Sequence, residues 1–271
     1  SLGMENTGSD CECIGDLYLR HRDDLATFAR ALDGVFAIAL FDSERNRLIV
    51  LRDPFGVRPL FMACRSNMMT SLANINNLAI PIYNATFETY VFASELKSLV
   101  PYFEVVQTFY PGTIQCYDTN TLCLLNDIRY HSLNWITNPN YKITEENAFV
   151  QATTDLRFAL EESVRKRLQT DRPVACLLSG GLDSSLIAAL VQNNLRNINS
   201  SPLKTFSIGF EGSSDLKHAK LVADWIGSDH TEIKMTPDEF FDAIPTVVKA
   251  IESFDTTTVR ASTGNYLVAK K

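Results

Sequence analysis

The chain has 271 residues, 45% of them hydrophobic, and a formal net charge of −7 at pH 7. This length is sufficient for one or two domains with substantial hydrophobic cores. The acidic balance argues against a nucleic-acid-binding surface. The apolar run at 35–41 is far shorter than the ~18 residues that a membrane span needs. We therefore expect neither a nucleic-acid partner nor a membrane partner.

Residues 1–5 have neither the basic start nor the apolar stretch of a secretory signal. Six cysteines are scattered through the chain, at positions 11, 13, 64, 116, 123 and 176. Cys11 and Cys13 have no second cysteine pair and no nearby histidine cluster with which to form a zinc site. Reduced thiols explain this pattern most simply, which favours a cytoplasmic location.

The first half of the chain contains the short apolar segments that are typical of strands in antiparallel sheets. Segments 34–42 and 46–53 predict two strands of a hairpin, joined by a short polar turn. Further segments predict strands at 60–63 and 90–94, a short helix at 95–99, and a second hairpin formed by 112–117 and 121–125. Residues 65–89 are polar and asparagine-rich, which predicts an extended loop.

A different pattern starts after the polar stretch 134–146, which we interpret as a linker. Residues 148–168 predict a long amphipathic helix whose final basic residues suit a helix C-terminus. Apolar strands then alternate with helices: strands at 174–178, 205–210 and 230–235, and helices at 184–191 and 215–226. This alternation predicts a parallel sheet with right-handed crossovers, in which ligands bind at the carboxyl ends of the strands.

The loop after the first of these strands is the strongest indication of a binding site. It reads Ser179-Gly180-Gly181-Leu182-Asp183-Ser184-Ser185 and follows five apolar residues that predict a fully buried strand. The glycines let the backbone approach a ligand closely, and the N–H groups at a helix start favour an anion. Asp183 would repel a phosphate unless a cation lies between them, and Mg²⁺ bound by one carboxylate plus phosphate oxygens is the usual arrangement.

The loop is not the common P-loop, because no lysine follows Gly181. The simplest structural alternative is a strand-to-helix turn in which the glycines are turn residues and Ser184 is the N-cap. The full Ser-Gly-Gly-x-Asp-Ser string is more specific than a glycine pair. It resembles the pyrophosphate loop of the N-type ATP pyrophosphatases, which cleave ATP between its α and β phosphates.

Taken nearly end to end, the chain resembles a glutamine-dependent asparagine synthetase. Segments similar to a class II glutamine amidotransferase domain lie at 7–12, 32–37, 52–60 and 93–97. Segments similar to the family's ATP-pyrophosphatase domain are the loop at 179–185 together with 206–210, 215–217 and 257–262.

The resemblance implies a fold for each half. Residues 1–133 would form a partial amidotransferase domain of the α+β class, with Ntn-hydrolase-like antiparallel sheets. Residues 134–147 would be a linker. Residues 148–271 would form a partial α/β ATP-pyrophosphatase domain of the adenine nucleotide alpha hydrolase type. In the family, ATP adenylates the aspartate side chain, and ammonia from glutamine attacks the acyl-adenylate to give asparagine, AMP and pyrophosphate.

The resemblance also implies roles for individual residues. Asp10 matches the carboxylate that binds the amino group of glutamine, and Asp183 matches a Mg²⁺ ligand. Thr257 and Arg260 match residues close to the reacting acyl-adenylate. The positions that match ATP-binding residues are Leu177, Ser179, Gly180, Gly181, Leu182, Asp183, Ser184, Ser185 and Ile208, with the backbone of Leu177 and Ile208 holding the adenine.

Several of these residues also have a purely structural interpretation. Asp10 is equally suited to cap a helix that begins near Cys13. Arg260 could form a surface ion pair with Glu252 or Asp255. Arg52 and Asp53 are interpreted as structural ion-pair or turn residues.

The chain departs from the family pattern at both ends. Residue 1 is serine, whereas the family's glutaminase uses an N-terminal cysteine, and Cys11 and Cys13 follow the Gly-Ser-Asp motif. The upstream glutamine-gripping segments and the downstream Ser-Gly-Glu loop are not in the sequence. We therefore expect an internal fragment of a longer synthetase, and we expect the fragment alone to lack both the glutaminase and the synthetase activity. A homodimer is a separate expectation for the longer protein.

Three functions stay open on the sequence. The first is asparagine synthesis. The second is another ligase of the same two-domain plan, such as a β-lactam synthetase or an amidotransferase with a different acyl substrate. The third is a non-catalytic nucleotide-binding or regulatory fragment, in which the loop binds ATP without chemistry.

Overall fold

The computed structural model describes residues 11–66, 87–132, 146–198 and 201–271. The chain divides into two units, residues 1–139 and 140–271. This division falls in the stretch that we interpret as a linker, of which residues 133–145 lie outside the described part. The exact domain bounds of 1–133, 134–147 and 148–271 stay a prediction.

The first unit opens with two short helices and continues with an antiparallel sheet. The helices are α1 (Glu12–His21) and α2 (Leu25–Arg30), and Asp24 caps α2 by accepting the Thr27 N–H at 3.1 Å. The sheet has the order β1-β2-β6-β7. Its strands are β1 (Ala37–Asp42), β2 (Arg47–Arg52), β6 (Thr113–Asp118) and β7 (Leu124–Arg129). The predicted hairpins β1–β2 and β6–β7 are both confirmed.

A second antiparallel sheet in the same unit has the order β4-β3-β5. It consists of β3 (Phe61–Ser66), β4 (Phe87–Ala93) and the unpredicted β5 (Val106–Thr108). Alternate residues of β2 belong to two different cores: Ile49 packs in a cluster with Phe28, and Val50 packs in a cluster with Phe109. Because side chains alternate across a strand, β2 is buried on both faces and reads as a continuous apolar run.

The second unit is an α/β arrangement around a parallel sheet. Its order is β10-β9-β8, and both pairings are parallel. The elements are α3 (Glu146–Arg167), β8 (Ala175–Leu177), α4 (Leu182–Ile198), β9 (Lys204–Phe210), α5 (Ser214–Ile226), β10 (Asp229–Met235), α6 (Pro237–Ile251) and α7 (Thr256–Lys270). The predicted change from antiparallel sheets to a parallel sheet is confirmed.

Local sequence signals explain where these helices begin and end. Ser213 caps α5, and Gly227 ends it in the left-handed conformation. Thr236 and Glu239 form a reciprocal capping box at the start of α6. Our sequence interpretation did not include α6 or α7, although this capping box was available as a signal.

Some local expectations are wrong. The strand at 174–178 is not fully buried: Leu177 is 53% exposed, since β8 pairs only with β9 among the described strands. The simpler alternative, in which Ser184 is the N-cap of the helix, is also wrong, because α4 already begins at Leu182. The predicted loop at 65–89 contains the end of β3 and the start of β4, while its residues 67–86 lie outside the described part.

The apolar residues of α3 are also more exposed than an amphipathic helix predicts. Phe149, Leu156 and Phe158 each expose more than half of their surface. Within the described residues, no helix combines the length and the apolar character needed to cross a bilayer.

Candidate functional site

The glycine loop joins the carboxyl end of β8 to the first turn of α4. Leu178 is buried and ties the loop to β9, because its N–H donates to the Phe206 carbonyl at 2.8 Å. Helix α4 starts at Leu182, with Asp183 in its first turn. The loop therefore has the strand–loop–helix setting that the sequence predicts.

Gly180 occupies a position that no other residue fits. Its φ is +77°, and a Cβ added there would lie 2.5 Å from the Ala219 nitrogen and 2.6 Å from the His218 carbonyl carbon. Both atoms belong to the backbone of α5 and cannot move aside easily. Gly181 is different, because an added Cβ would meet only the Ser179 Oγ, at 3.4 Å. Gly180 thus packs the loop against α5, while Gly181 keeps the loop surface open.

The loop serines hydrogen-bond within the loop. The hydroxyls of Ser179 and Ser184 lie 2.9 Å apart, and the Gly181 N–H donates to Ser179 Oγ at 3.3 Å. The Ser185 hydroxyl donates to the Gly181 carbonyl at 2.7 Å. These bonds fix the backbone of the loop before any ligand arrives.

Backbone N–H groups of the loop remain available to a ligand. In the described part of the chain, the N–H groups of Gly180, Leu182 and Asp183 donate to no protein acceptor. Unpaired N–H groups at a helix start, together with the helix dipole, favour an anion such as a phosphate. The geometry of the loop is therefore that of an anion site.

The residues at the loop could bind a metal ion only if the ligand supplied most of the coordinating atoms. Among the described residues, no group of three or more His, Cys, Asp or Glu side chains is placed to hold a metal. Asp183 is exposed and makes no hydrogen bond or ion pair with a described residue. One carboxylate fits Mg²⁺ that keeps waters and takes its other ligands from phosphates.

A cavity of about 240 Å³ lies beside the loop, at the carboxyl ends of β8 and β9. We call it the nucleotide cleft. Its lining residues are Leu177, Leu178, Ser179, Ser184, Phe206, Ser207, Ile208, Asp215, Asn265 and Val268. Four of the residues that the sequence identified are therefore in one place: Leu177, Ser179, Ser184 and Ile208. This is the position at which parallel sheets bind ligands.

Sequence reasoning missed part of this cleft. Asp215 lies in a segment that carried the resemblance, but we assigned it no role. Phe206 could have been found from strand alternation in β9, because it lies two residues before the predicted Ile208. Asn265 has no sequence signal, because only the packing of α7 against the sheet brings it to the cleft.

Thr257 and Arg260 lie on the first turns of α7 and do not line the cleft. At 3.6 residues per turn they share a helix face with Gly264 and Val268. An added Cβ at Gly264 would lie 3.9 Å from Ile208 Cγ2, so this face of α7 approaches β9. The two predicted catalytic residues thus lie on the same face of α7 as Val268, which lines the cleft, but nearer the start of the helix.

Arg260 does not form the surface ion pair with Asp255 that the sequence left open. The Asp255 carboxylate caps α7 by accepting the Thr258 N–H at 2.8 Å and its hydroxyl at 2.7 Å. Arg260 is exposed and forms no salt bridge with a described residue.

A hydroxyl–imidazole network lies under the nucleotide cleft, between β9 and β10. His230 Nδ1 is 2.9 Å from the Thr205 hydroxyl, and His230 Nε2 is 3.1 Å from the Ser207 hydroxyl. The Thr205 hydroxyl also lies 2.8 Å from that of Ser228. Burial lowers the pKa of His230, and Lys220 on α5 adds to this shift, while Glu232 and Asp224 oppose it. No local sequence pattern connects His230 with the cleft.

The first unit contains a larger cavity, of about 890 Å³. It is bordered by α1, by residues 31–38 and by Arg58, Pro59 and Ser94. Arg20 and Arg58 make no ion pair with a described residue, and Asp16 also lines the cavity. Asp10, which we expected to bind glutamine, lies outside the described residues.

Arg52 and Asp53 are turn residues, as expected, and both are nearly fully buried. The Arg52 guanidinium donates to three backbone carbonyls, those of Gly56, Arg58 and Phe109. The Asp53 carboxylate accepts the N–H groups of Phe55, Val57 and Arg58. Together they fix the turn that brings Arg58 to the larger cavity.

Comparison with known proteins gives two family matches. The model of the family "Asparagine synthase" matches residues 155–271, and that of the family "Glutamine amidotransferase domain" matches residues 3–79. A glutamine-hydrolyzing asparagine synthetase of Cricetulus griseus is 34% identical over 97% of the chain and 46% of that protein. Asparagine synthetase 2 of Arabidopsis thaliana is 37% identical over 98% of the chain and 41% of that protein. Asparagine synthetase B of Escherichia coli K12 is 37% identical over 98% of the chain and 44% of that protein. The chain thus spans less than half the length of these relatives.

Proposed function

Since this chain belongs to the asparagine synthetase family, we propose that the whole protein makes asparagine from aspartate, with glutamine as the nitrogen donor and ATP as the energy source. ATP would adenylate the aspartate side chain at the nucleotide cleft and release pyrophosphate. Ammonia would then displace AMP. The relatives named above carry this activity in their names, and their similarity covers both units of the chain.

One observation carries the nucleotide half of this proposal. The glycine loop, with its unpaired N–H groups at the start of α4, lies beside a cavity at the carboxyl ends of two parallel strands. Phosphates at the loop and a base in the cavity would orient ATP across this edge of the sheet. The same N–H groups would stabilise the charge that develops on the departing pyrophosphate.

Asp183 would hold Mg²⁺, which would supply positive charge to the departing pyrophosphate. Arg260 is suited to pair with the α-phosphate or with the carboxylate of aspartate, because a guanidinium binds both bidentately. Thr257 would bind the same intermediate. In the first unit, Arg20 and Arg58 at the larger cavity are cations that would suit the carboxylate of glutamine. By the resemblance, Asp10 would bind its amino group.

The test is aspartate-dependent exchange between ATP and labelled pyrophosphate, measured on the whole protein that contains this chain. We expect Asp183→Ala to reduce the exchange rate at least tenfold, and Asp242→Ala, a matched change on the exposed side of α6, to leave it within twofold. Unchanged exchange in Asp183→Ala would remove the proposed magnesium role.

A panel of acids in the same assay separates the alternatives. Exchange with aspartate alone supports asparagine synthesis, and exchange with a different acid supports another ligase of the same plan. ATP binding without exchange for any acid supports a non-catalytic nucleotide-binding protein. A cytoplasmic location and a homodimer stay predictions.

A further inference from the structure

We propose that the side-chain amide of Asn265 recognises the adenine base of ATP, an inference that rests on the proposed function of the nucleotide cleft. Asn265 lies on α7 and lines the cleft together with Ile208 and Val268. Neither the sequence nor the family resemblance assigned it a role. It would make the cleft specific for a 6-amino purine.

The cleft has the size and lining of a site for a base. Its 240 Å³ is below the roughly 300–1,000 Å³ of pockets that enclose a whole drug-sized ligand. Apolar side chains on β8, β9 and α7 provide surfaces for a flat ring: Leu177, Leu178, Phe206, Ile208 and Val268. The phosphates would then lie outside this cavity, along the glycine loop.

Asn265 is identified by elimination among the polar side chains of the cleft, which are Ser179, Ser184, Ser207, Asp215 and Asn265. The Ser179 and Ser184 hydroxyls bond to each other, and Ser207 bonds to His230. Asp215 accepts a hydrogen bond from the Ser214 hydroxyl at 3.3 Å. Asn265 forms no hydrogen bond with any residue of the described ranges, so its donor and acceptor groups are both available to a ligand.

The chemistry of an amide matches one face of adenine. The carboxamide oxygen accepts from the exocyclic 6-amino group while the carboxamide nitrogen donates to N7, which is a bidentate pair. Inosine and guanine carry a 6-oxo group at the same position. There the amide oxygen would face a second acceptor, and one hydrogen bond would be lost or the amide would have to rotate.

The experiment is calorimetric titration of the whole protein with ATP, inosine triphosphate and 7-deaza-ATP in the presence of Mg²⁺. A good bidentate pair discriminates about 5- to 150-fold against the wrong base. We expect the unaltered protein to bind ATP more tightly than either analogue, and Asn265→Leu to reduce the preference for ATP over inosine triphosphate at least fivefold. In Asn265→Asp the carboxylate keeps the acceptor for the 6-amino group but places a second acceptor against N7, so ATP should lose its advantage over 7-deaza-ATP or bind more weakly than it, while inosine triphosphate stays disfavoured.

Two measurements make the result decisive. Asn193→Leu, an exposed asparagine on α4 outside the cleft, should leave all three affinities unchanged, and thermal unfolding of each variant checks that the fold is intact. Binding of ATP with an unaltered preference in both Asn265 variants overturns this inference and leaves the proposed function standing. Failure of the unaltered protein to bind ATP overturns both.

Discussion

Gly180 and its neighbour Gly181 show how two identical residues can have different tasks. Gly180 combines a positive φ with backbone atoms of α5 inside the space of a Cβ, whereas Gly181 has neither constraint. The first glycine belongs to the packing of the unit, and the second to the surface that a ligand would approach.

Gly180→Ala should therefore lower the free energy of unfolding of the second unit by more than about 2 kcal/mol, because the left-handed conformation alone costs about 1–2 kcal/mol. Gly212 is the matched control: it has φ +78° but nothing within 4 Å of an added Cβ. Gly212→Ala should cost only the conformational part, and Gly181→Ala less than about 1 kcal/mol. Urea unfolding followed by circular dichroism measures all three. Equal costs for Gly180→Ala and Gly212→Ala would contradict the packing argument.

Asp53 is the corresponding structural residue of the first unit. It is 1% exposed. Burial by itself raises the pKa of its carboxyl, but the backbone N–H groups of Arg58, Val57 and Phe55 outweigh burial and hold that pKa below its usual 3.8. The stabilisation is thus present above the ordinary pKa and is lost as the pH falls through the lowered pKa of the folded state.

Asp53→Asn places an amide N–H₂ against a backbone N–H, which leaves a buried donor unpaired. We expect a loss of about 1–3 kcal/mol at pH 7. Asp16→Asn, at an exposed position of α1, should stay within about 0.5 kcal/mol of the unaltered protein. Equilibrium denaturation measures the difference in free energy of unfolding between Asp53→Asn and the unaltered protein. This difference should be present at pH 7 and should shrink at low pH, where the Asp53 carboxyl of the unaltered protein is itself protonated. A full loss that persists at the lowest pH would show that the carboxylate charge is not its cause.

At the scale of elements, β9 supplies both the wall of the cleft and its support. Phe206, Ser207 and Ile208 line the cleft, and the hydroxyls of Thr205 and Ser207 contact His230 of β10. Ser207 therefore joins the wall of the cleft to the network that supports it. Helix α7 likewise carries three candidate site residues, Thr257, Arg260 and Asn265, which lie up to eight positions apart in the sequence.

His230 makes this support sensitive to acid. Burial lowers the pKa of the imidazole from its usual 6.5, so the folded unit disfavours the protonated ring. The unfolded chain takes up a proton first as the pH falls, and stability therefore decreases from about pH 6.5 down to the lowered pKa of the folded state. Thermal unfolding between pH 8 and pH 5 should show this decrease for the second unit, and His230→Gln should flatten it. His21→Gln, on α1, is the control. An equally steep decrease in His230→Gln would assign the acid sensitivity to other groups.

At the scale of the whole molecule, the chain consists of two units with separate cores. One set of buried clusters is centred on Phe28, Ile49 and Val50, and another is centred on Leu178, Ala188 and Ala219. Among the described residues, each of these buried clusters lies within one unit. Separate cores favour separate unfolding transitions.

We expect two transitions in the calorimetric unfolding of the chain. Asp53→Asn should shift only the transition of the first unit, and Gly180→Ala only that of the second. A single transition that both substitutions shift together would contradict the independence of the two cores.

Much of the fold and part of the candidate site could be predicted from the sequence. Local patterns identified both hairpins and the three parallel strands, because alternation and apolar runs are properties of short segments. They could not identify β5, which has only three residues, or the exposure of Leu177, which depends on which strand lies beside it. Asn265 was also out of reach, because a single polar residue on a helix carries no spacing signal.

The sequence by itself determined the class of each unit, the family, and the loop that is suited to phosphates, since these depend on residue types at short and regular spacings. Only the tertiary structure decided which residues meet at the nucleotide cleft. It brought α7 to the carboxyl edge of the sheet, separated the roles of Gly180 and Gly181, and left the Asn265 amide without a partner among the described residues. The physical reason is that burial and unpaired polar groups arise from contacts between segments far apart in the chain, which no local pattern specifies.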